Sequence, residues 1–599
     1  MFSTTHSVRK SLRVMLALAA LVSLQPAAPA AYAYSAPQAP VINIMPIDRA
    51  KFLAGQKFDF AVEIKTAVPA KALEVEINGV AADKFFGKQA AIKLDQLNTY
   101  RINDVAFSRP GKITIAVAAR TEQGIERRVV SYEVAAAKAK KQAKNVILFV
   151  GDGMSLQSRQ IARILSQGIS EGKYNGLLEM DQMPHVALVT TSGNDSLVTD
   201  SANSASAYAT GHKSAVNAMG VYADSSKDPF DDPKVENIIE LVKRTRGMAT
   251  GLVSTANITD ATPAAMLAHT RRRSEQNYIA QDMLSPERRP DVILGGGSRH
   301  FLPKTVPGSK RSDDRDLIGE FKAQGYAIAT TGSELKQAGA PEKLLGLFQL
   351  DNLNVYVDRE LTKNPAVLGN FTDQPNLMTM TQTAIDVLSQ NKNGFFLMVE
   401  GASIDKQLHA MDWQRAAYDT IEMDKAIGIA RQFAQKNGDT LIVVVADHAH
   451  GSSITGTYHE LDGKTGREAV RTYADAGWPT FADNDGDGFP DNPDPDVTLA
   501  VQFANYPDHY ENYRFQPVPV SPAIMANGKA IGNERRAPGG ELRIGNLPSD
   551  ESSEVHAADD VPLTAEGPGA DYFKGVIDNT EVFHGIVRAL GLDGRKNKN

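Results

Sequence analysis

No cysteine occurs anywhere in the 599 residues. No disulfide can brace such a chain and no thiolate can hold a metal, so any zinc must sit on histidine and carboxylate. Sustained apolar runs are nearly missing too. The stretch Val14 to Leu24 is too short to span a bilayer comfortably, and nothing later in the sequence looks transmembrane. Acid is absent from residues 1–33, which carry Arg9, Lys10 and Arg13, then the apolar run, then Ala31-Tyr32-Ala33. That order is expected of a secretory signal with a small-x-small cleavage site. The Arg9-Lys10 pair is not a true twin-arginine signal, so the general export route is expected, with a periplasmic or secreted product. There is no basic surplus. The net charge of −7 becomes −10 without residues 1–33, which leaves no electrostatic footprint for nucleic acid. No internal repeat is present. Gly295-Gly296-Gly297 lacks the dinucleotide-binding spacing and reads as a turn after a strand.

What is present divides in two. Residues 36–134 alternate apolar and polar side chains in short runs such as Phe58-Asp59-Phe60-Ala61-Val62-Glu63-Ile64 and Ile113-Thr114-Ile115-Ala116-Val117. Pro, Gly and Asn punctuate them, which predicts a small β-sandwich of immunoglobulin type. An Ala/Lys-rich linker over 135–144 follows. From Asn145 the rhythm changes. Continuous apolar runs at 145–150, 249–254, 291–294, 395–399 and 441–445 read as buried strands, and helical patterns fall at 155–168, 203–210, 234–245, 378–390 and near 576–590. Strands alternating with helices predict an α/β three-layer sandwich with a largely parallel central sheet. Residues 451–555, rich in Pro, Gly, Asn and Asp, read as an irregular insertion.

Ligand groups in such sheets gather beyond the carboxyl ends of strands. Asp152 follows the first strand in Gly151-Asp152-Gly153-Met154. Glu400-Gly401-Ala402-Ser403-Ile404-Asp405 ends another, with His409 four residues beyond Asp405. Ala446-Asp447-His448-Ala449-His450 ends a third, and His556 stands after the insertion. Ser201, in Asp200-Ser201-Ala202, lies at the predicted start of a small-residue helix, where unpaired N–H groups favour an anion. Serine is a poor nucleophile at neutral pH, and a zinc ion on its oxygen lowers the pKa. Imidazole and carboxylate suit zinc, whereas an all-oxygen set suits magnesium.

Together with Asp260-Ala261-Thr262-Pro263-Ala264-Ala265, and in this order, these motifs make residues 145–599 resemble the alkaline phosphatases of the bacterial periplasm. The resemblance implies that Asp405, His409 and His556 hold one zinc, and that Asp152, Asp447, His448 and the Ser201 oxygen hold a second. It implies a magnesium ion on Asp152, Thr262 and Glu400, with Asp260 reaching it through water. It implies that Arg273 clamps the phosphate, that Lys406 lies near the third metal or the phosphate, and that His450 orients Asp405. The expected reaction is hydrolysis of phosphate monoesters through a phosphoserine on Ser201. The spacing from Asp260 selects Arg273, but a shift of one would put Arg271 or Arg272 in its place. His185, His212, His269, His300, His459, His509 and His584 are left as structural. A homodimer is possible for such enzymes, but no interface is legible.

One further motif stands in the insertion. Asp483, Asp485, Asp487, Phe489 through its carbonyl, Asp491 and Asp494 occupy positions one, three, five, seven, nine and twelve of a calcium-type loop, with Gly488 following the third acid. Asp494 stands where a longer Glu is usual. Two rival readings remain open at this stage. One is a phosphodiesterase on the same metal core. The other is a calcium-binding surface protein with an inactive enzyme core.

Overall fold

The central feature of the computed structural model is a ten-stranded sheet whose middle strands, Phe395–Gly401, Asn145–Gly151 and Thr440–Ala446, are largely apolar runs buried on both faces. The structure describes residues 42–64, 73–93, 99–121, 124–137, 142–493, 495–504, 509–511, 513–534, 540–543 and 552–596. The signal segment 1–33, part of the linker and Asp494 lie outside them. The strand order is Ala327–Ala329, Leu344–Leu347, Val292–Gly296, Ala249–Asn257, Phe395–Gly401, Asn145–Gly151, Thr440–Ala446, Val561–Glu566, His185–Thr190 and Gly575–Asp578. All neighbours run parallel except that Val561–Glu566 opposes both of its partners. The expected largely parallel α/β sheet is present. Register is what builds the site. Gly151 pairs with Gly401 on one side and Ala446 on the other, so Asp152, the turn into Asp405, and Asp447 all leave the sheet at one edge.

Helices cover the sheet. Leu156–Gln167, Ser201–Thr210, Ile238–Arg246, Leu377–Leu388 and Thr580–Leu590 lie near their predicted places. The last begins later than its sequence pattern, because Gly575–Asp578 is an edge strand. The first two glycines of Gly295-Gly296-Gly297 belong to a strand, and Gly297 alone makes the turn at φ 87°. The 25-residue helix Trp413–Asn437 was not anticipated. It is buried around most of its girth, including the ionic side chains Arg415, Asp419 and Glu422, so it carries no clean apolar stripe.

Upstream, Ile42–Ala135 contributes two sheets. Ile42–Met45, Lys57–Ile64, Thr99–Ala106 and Ala91–Lys93 form one. Lys51–Leu53, Gly124–Ala135, Gly111–Thr121, Leu73–Ile77 and Val80–Ala81 form the other. They share one apolar cluster around Phe52, Phe58, Phe60, Phe107 and Tyr132. That cluster also takes in Tyr222 and Val235 from the later chain, and Val41–Asn599 is a single compact unit.

The insertion is not wholly irregular. Ser452–His459, Val470–Arg471 and Val497–Phe503 make a three-stranded sheet. Its two ends are joined where Ala449-His450 pairs antiparallel with His556-Ala557, His450 opposite His556. No helix among the described residues is long and apolar enough to cross a membrane.

Candidate metal centre and nucleophile

Ser201 is the first residue of a fully buried ten-residue helix. Asp200 caps it, accepting from the Asn203 amide at 3.1 Å, and Gly211 in the left-handed region ends it. The Ser201 Oγ lies 3.3 Å from Asp152 Oδ1 and 3.2 Å from His448 Nε2. His448 Nε2 is in turn 3.3 Å from Asp152 Oδ1 and 3.4 Å from Asp447 Oδ2. Four donors around one zinc at about 2.0–2.1 Å define a tetrahedron with edges of about 3.3–3.4 Å. The distances fit that figure. The fit is reinforced by a polar atom with nothing to bind: Asp447 Oδ2 is buried without a hydrogen-bond partner, while its Oδ1 accepts from the Gly153 and His448 amides.

A second set adjoins it. The seven-residue helix Ser403–His409 presents Asp405 and His409 four residues apart on one face. Asp405 Oδ1 is 3.3 Å from His409 Nε2 and 3.5 Å from His556 Nε2, and the two imidazole nitrogens are 3.2 Å apart. These are again zinc-sized edges with a fourth position left open. The ring tautomers follow from the backbone. His409 Nδ1 donates to the Glu554 carbonyl at 2.5 Å and His556 Nδ1 to the Thr199 carbonyl at 2.8 Å. Each Nε2 therefore carries a lone pair toward Asp405. His450 Nε2 lies 2.7 Å from Asp405 Oδ1, and burial holds this imidazole down at about 4. The two sets meet where His448 Nε2 comes within 4.0 Å of Asp405 Oδ1. Asp405, His448, His450 and His556 can also direct ligand atoms to a common point, as can Asp152, Asp447 and His448. Gly153 sits between the sets at φ 64°, where a Cβ would come within 2.6 Å of the His450 ring. Only glycine fits there.

The third expected set is looser. Ser254 Oγ donates to Glu400, a partner the sequence did not reveal. Thr262 Oγ1 is buried without a partner. Burial and the neighbouring Asp152 push the Glu400 carboxyl well above the usual carboxylate range, and the same two causes act on Asp447. Acids so crowded need a cation to ionise together. Lys406 supplies one charge, 3.3 Å from Asp405, 3.4 Å from Asp260 and 3.9 Å from Asp152. Burial opposes its charge, but Asp260, Asp405 and Asp152 hold it well above the ordinary lysine value.

Arg271 and Arg273 separate cleanly. Arg273 reaches Asp260 at 2.8 Å and Asp200 at 3.2 Å, next to Ser201 in the chain. Arg271 instead binds Asp224 and Asp232 away from it. Among the other histidines, burial lowers His212 and His584 to about 3 and His300 to about 4. His269 contacts Glu240 at 3.1 Å, and although burial opposes its charge, Glu240 raises its pKa. In the insertion, Asp483, Asp485 and Asp491 bring carboxylate oxygens together on the surface. Asp487 Oδ1 instead accepts from the Phe489 amide at 2.7 Å. The Phe489 ring is buried and stacked on Tyr356 at 4.1 Å, which anchors the loop.

Residues 143–592 match the family model described as alkaline phosphatase. Alkaline phosphatase H of Pseudomonas aeruginosa is 33% identical over 79% of this chain and 91% of its own length. The alkaline phosphatase of Escherichia coli K12 is 32% identical over 79% of this chain and 92% of its own. Among solved structures, the alkaline phosphatase of the Antarctic bacterium TAB5 superposes with a TM-score of 0.52 at 26% identity, covering 76% of this chain and 99% of that one.

Proposed function

The chain belongs to the alkaline phosphatase family and is a phosphomonoesterase, and from that premise we propose that it works through a phosphoserine on Ser201 with two zinc ions and one magnesium. The observation that carries this reading is the position of Ser201 Oγ, which completes a zinc-sized set with Asp152, Asp447 and His448 at a helix N-terminus. Asp405, His409 and His556 would hold the other zinc, and Asp152, Thr262 and Glu400 the magnesium, with Asp260 behind a water. When bound, these ions supply Lewis acidity that lowers the pKa of the serine hydroxyl and of water and offsets charge on the leaving oxygen.

The chain's own residues do the rest. Arg273 presents its fork to two phosphate oxygens, and its two carboxylate partners, Asp200 and Asp260, fix the plane of that fork. The open N–H groups of the Ser201 helix add partial positive charge on the same side. Ser201 gives up its proton to water and its oxygen attacks phosphorus in line. The bond to the leaving alcohol breaks, and that oxygen is protonated on departure. Water then attacks the phosphoserine, releasing inorganic phosphate and restoring the hydroxyl. Lys406 helps keep Asp260 and Asp405 anionic throughout. The Arg273 fork favours a monoester dianion over a diester, which lacks the second free charge. We extend the reading to export by residues 1–33, to an immunoglobulin-type sandwich at 36–134, and to a structural calcium on Asp483, Asp485 and Asp491.

Elemental analysis of the purified protein, paired with aryl phosphate turnover before and after chelation, tests the metal assignment. Two zinc per chain are expected, with activity restored by zinc plus magnesium and calcium present in the same sample. A protein that takes up no zinc on reconstitution would sink the ligand assignments.

The arginines give a sharper test. Arg273→Ala is expected to lose about 1.4–2.7 kcal/mol of transition-state binding, ten- to a hundredfold in kcat/KM for an aryl phosphate. Arg271→Ala leaves the Asp232 carboxylate without its charged partner and is expected to cost about 3 kcal/mol of stability in denaturant melts, with kcat/KM kept within about twofold. The reverse pattern would move the clamp to Arg271.

A further inference from the structure

The loop Leu53–Lys57 of the N-terminal sheets is driven into the catalytic body at the far end of the nucleophile helix. Gln56 is fully buried there. One proton of its side-chain amide goes to the Thr210 carbonyl at 2.8 Å, the last residue of the Ser201 helix. The other goes to the Glu236 carbonyl at 3.1 Å, next to the Asn237 cap of helix Ile238–Arg246. Its Oε1 accepts from the Leu53 amide at 3.3 Å. A carbonyl in the last turn of a helix has no partner inside that helix and must find one. Here the partner is a single side chain with both of its donors engaged, and it comes from outside the family-matched region 143–592.

The loop that carries Gln56 cannot drift. Lys57 and Asp59 form a short ladder with the later chain, Glu236 N donating to Lys57 O at 2.9 Å and Asp59 N to Lys234 O at 2.7 Å. Arg244 clasps the Glu236 carboxylate and also donates to the Gly55 and Gly594 carbonyls. Gly55, at φ 83°, has backbone of Gly594 and Arg595 where a Cβ would stand. Beside it the Phe52 ring meets the His212 ring edge-on at 4.5 Å, just past the end of the helix.

We infer that Gln56 is a positioning residue for Ser201, holding the nucleophile helix in place along its axis from the end opposite the reaction. The inference rests on the reading of Ser201 as nucleophile. A ten-residue helix transmits a shift of its C-terminal end to its first residue almost undiminished. Ser201 Oγ sits 3.2–3.3 Å from two other members of its ligand set, so a shift of a fraction of an ångström changes the attack geometry. Arg273 and the Asp405 set are on other segments, so most of the phosphate grip does not travel with the helix, whose share is its N–H groups and the Asp200 contact to Arg273.

The test is Gln56→Met, which keeps the length and removes both donors. On the zinc-loaded enzyme, kcat per loaded molecule for an aryl phosphate is expected to fall about 10- to 100-fold. KM and the inhibition constant of inorganic phosphate are expected to stay within about threefold. A kcat within twofold of the parent, whatever happens to the melting temperature, overturns the role. Should Gln56→Met give no folded protein, Gln56→Asn, which keeps the amide but shortens its reach, is read against the same two outcomes. Lys51→Ala loses the 2.8 Å ion pair with Glu581, another tie between the N-terminal sheets and the body. It is expected to lower the melting temperature and keep kcat. A fall in kcat as large as that of Gln56→Met would reduce Gln56 to general stability and overturn the inference. Ser201→Ala in parallel separates the two readings. Activity surviving that change removes the nucleophile assignment itself, whereas an inactive Ser201→Ala beside a fully active Gln56→Met removes only the positioning role.

Discussion

Ser201→Ala is expected to lower aryl phosphate turnover by on the order of 10³-fold or more, with zinc content and melting temperature close to the parent's. The change deletes one oxygen from a buried site. It creates little cavity and leaves Asp152, Asp447 and His448 to hold the metal, so the fold has small reason to respond. The chemistry has every reason to, because the covalent route is lost outright and only positioning and charge stabilisation remain. The check is twofold. Steady-state turnover gives the size of the loss, and acid quenching with phosphate-labelled substrate asks whether a phosphoprotein accumulates in the parent and vanishes in the variant. A variant that retains a tenth of the activity, or a labelled parent whose phosphate maps elsewhere, would displace Ser201 from the mechanism.

Complete chelation is expected to abolish turnover and to lower the melting temperature by on the order of 10 °C, both recovering with zinc and magnesium. The reason lies in the carboxylates. Asp152, Glu400, Asp405 and Asp447 are all buried at one edge of the sheet, and the side chains opposing them with positive charge are Lys406 and Arg273. Without ions, burial and Asp152 push Glu400 and Asp447 above their ordinary range. A carboxyl whose folded pKa is raised costs stability as pH climbs from its unfolded value toward the raised one. The difference between loaded and stripped protein is therefore expected to widen from pH 5 to pH 8. Calorimetric scans at several pH values read this directly, and equal melting temperatures for verified apo and holo protein would contradict it.

The acids and histidines that the structure brings together were largely legible, because residues of those types at strand ends stand out in order along the chain. Strand-end acids and histidines at 152, 400–409 and 446–450 announce themselves in a linear reading. What sets their orientation did not. The Thr199 and Glu554 carbonyls that fix the His556 and His409 tautomers are backbone atoms, and no residue type reports them. Ser254, which donates to Glu400, is one serine among many. That Arg273 contacts Asp200 and Asp260 while Arg271 turns to Asp224 and Asp232 shows only in space. The fold shows the same division. Apolar runs exposed the central strands, whereas the helix Trp413–Asn437 hid behind charges that pair inside the protein, such as Arg415 with Asp358 and Asp412. The strand Thr99–Ala106 was missed because its pattern, TYRINDVA, is broken by Asn103 and Asp104, the latter at φ 51°. The docking of Gln56 rests on carbonyls more than 150 residues downstream, and no local pattern encodes it.

The pairing of His450 with His556 has a consequence for how the chain comes together. One ligand set is shared between residues made before the insertion and a histidine made after it, so its grip on a metal cannot close until synthesis has passed residue 556. Metal capture by that set is then a late event. The same clasp makes the intervening length nearly irrelevant to the chemistry. Once the two ends are zipped, each doubling of the enclosed segment costs only about 0.6 kcal/mol in closure entropy. A lineage can therefore lengthen, trim or exchange much of residues 451–553 while the site feels the two-residue ladder at their base and the Glu554 carbonyl on His409.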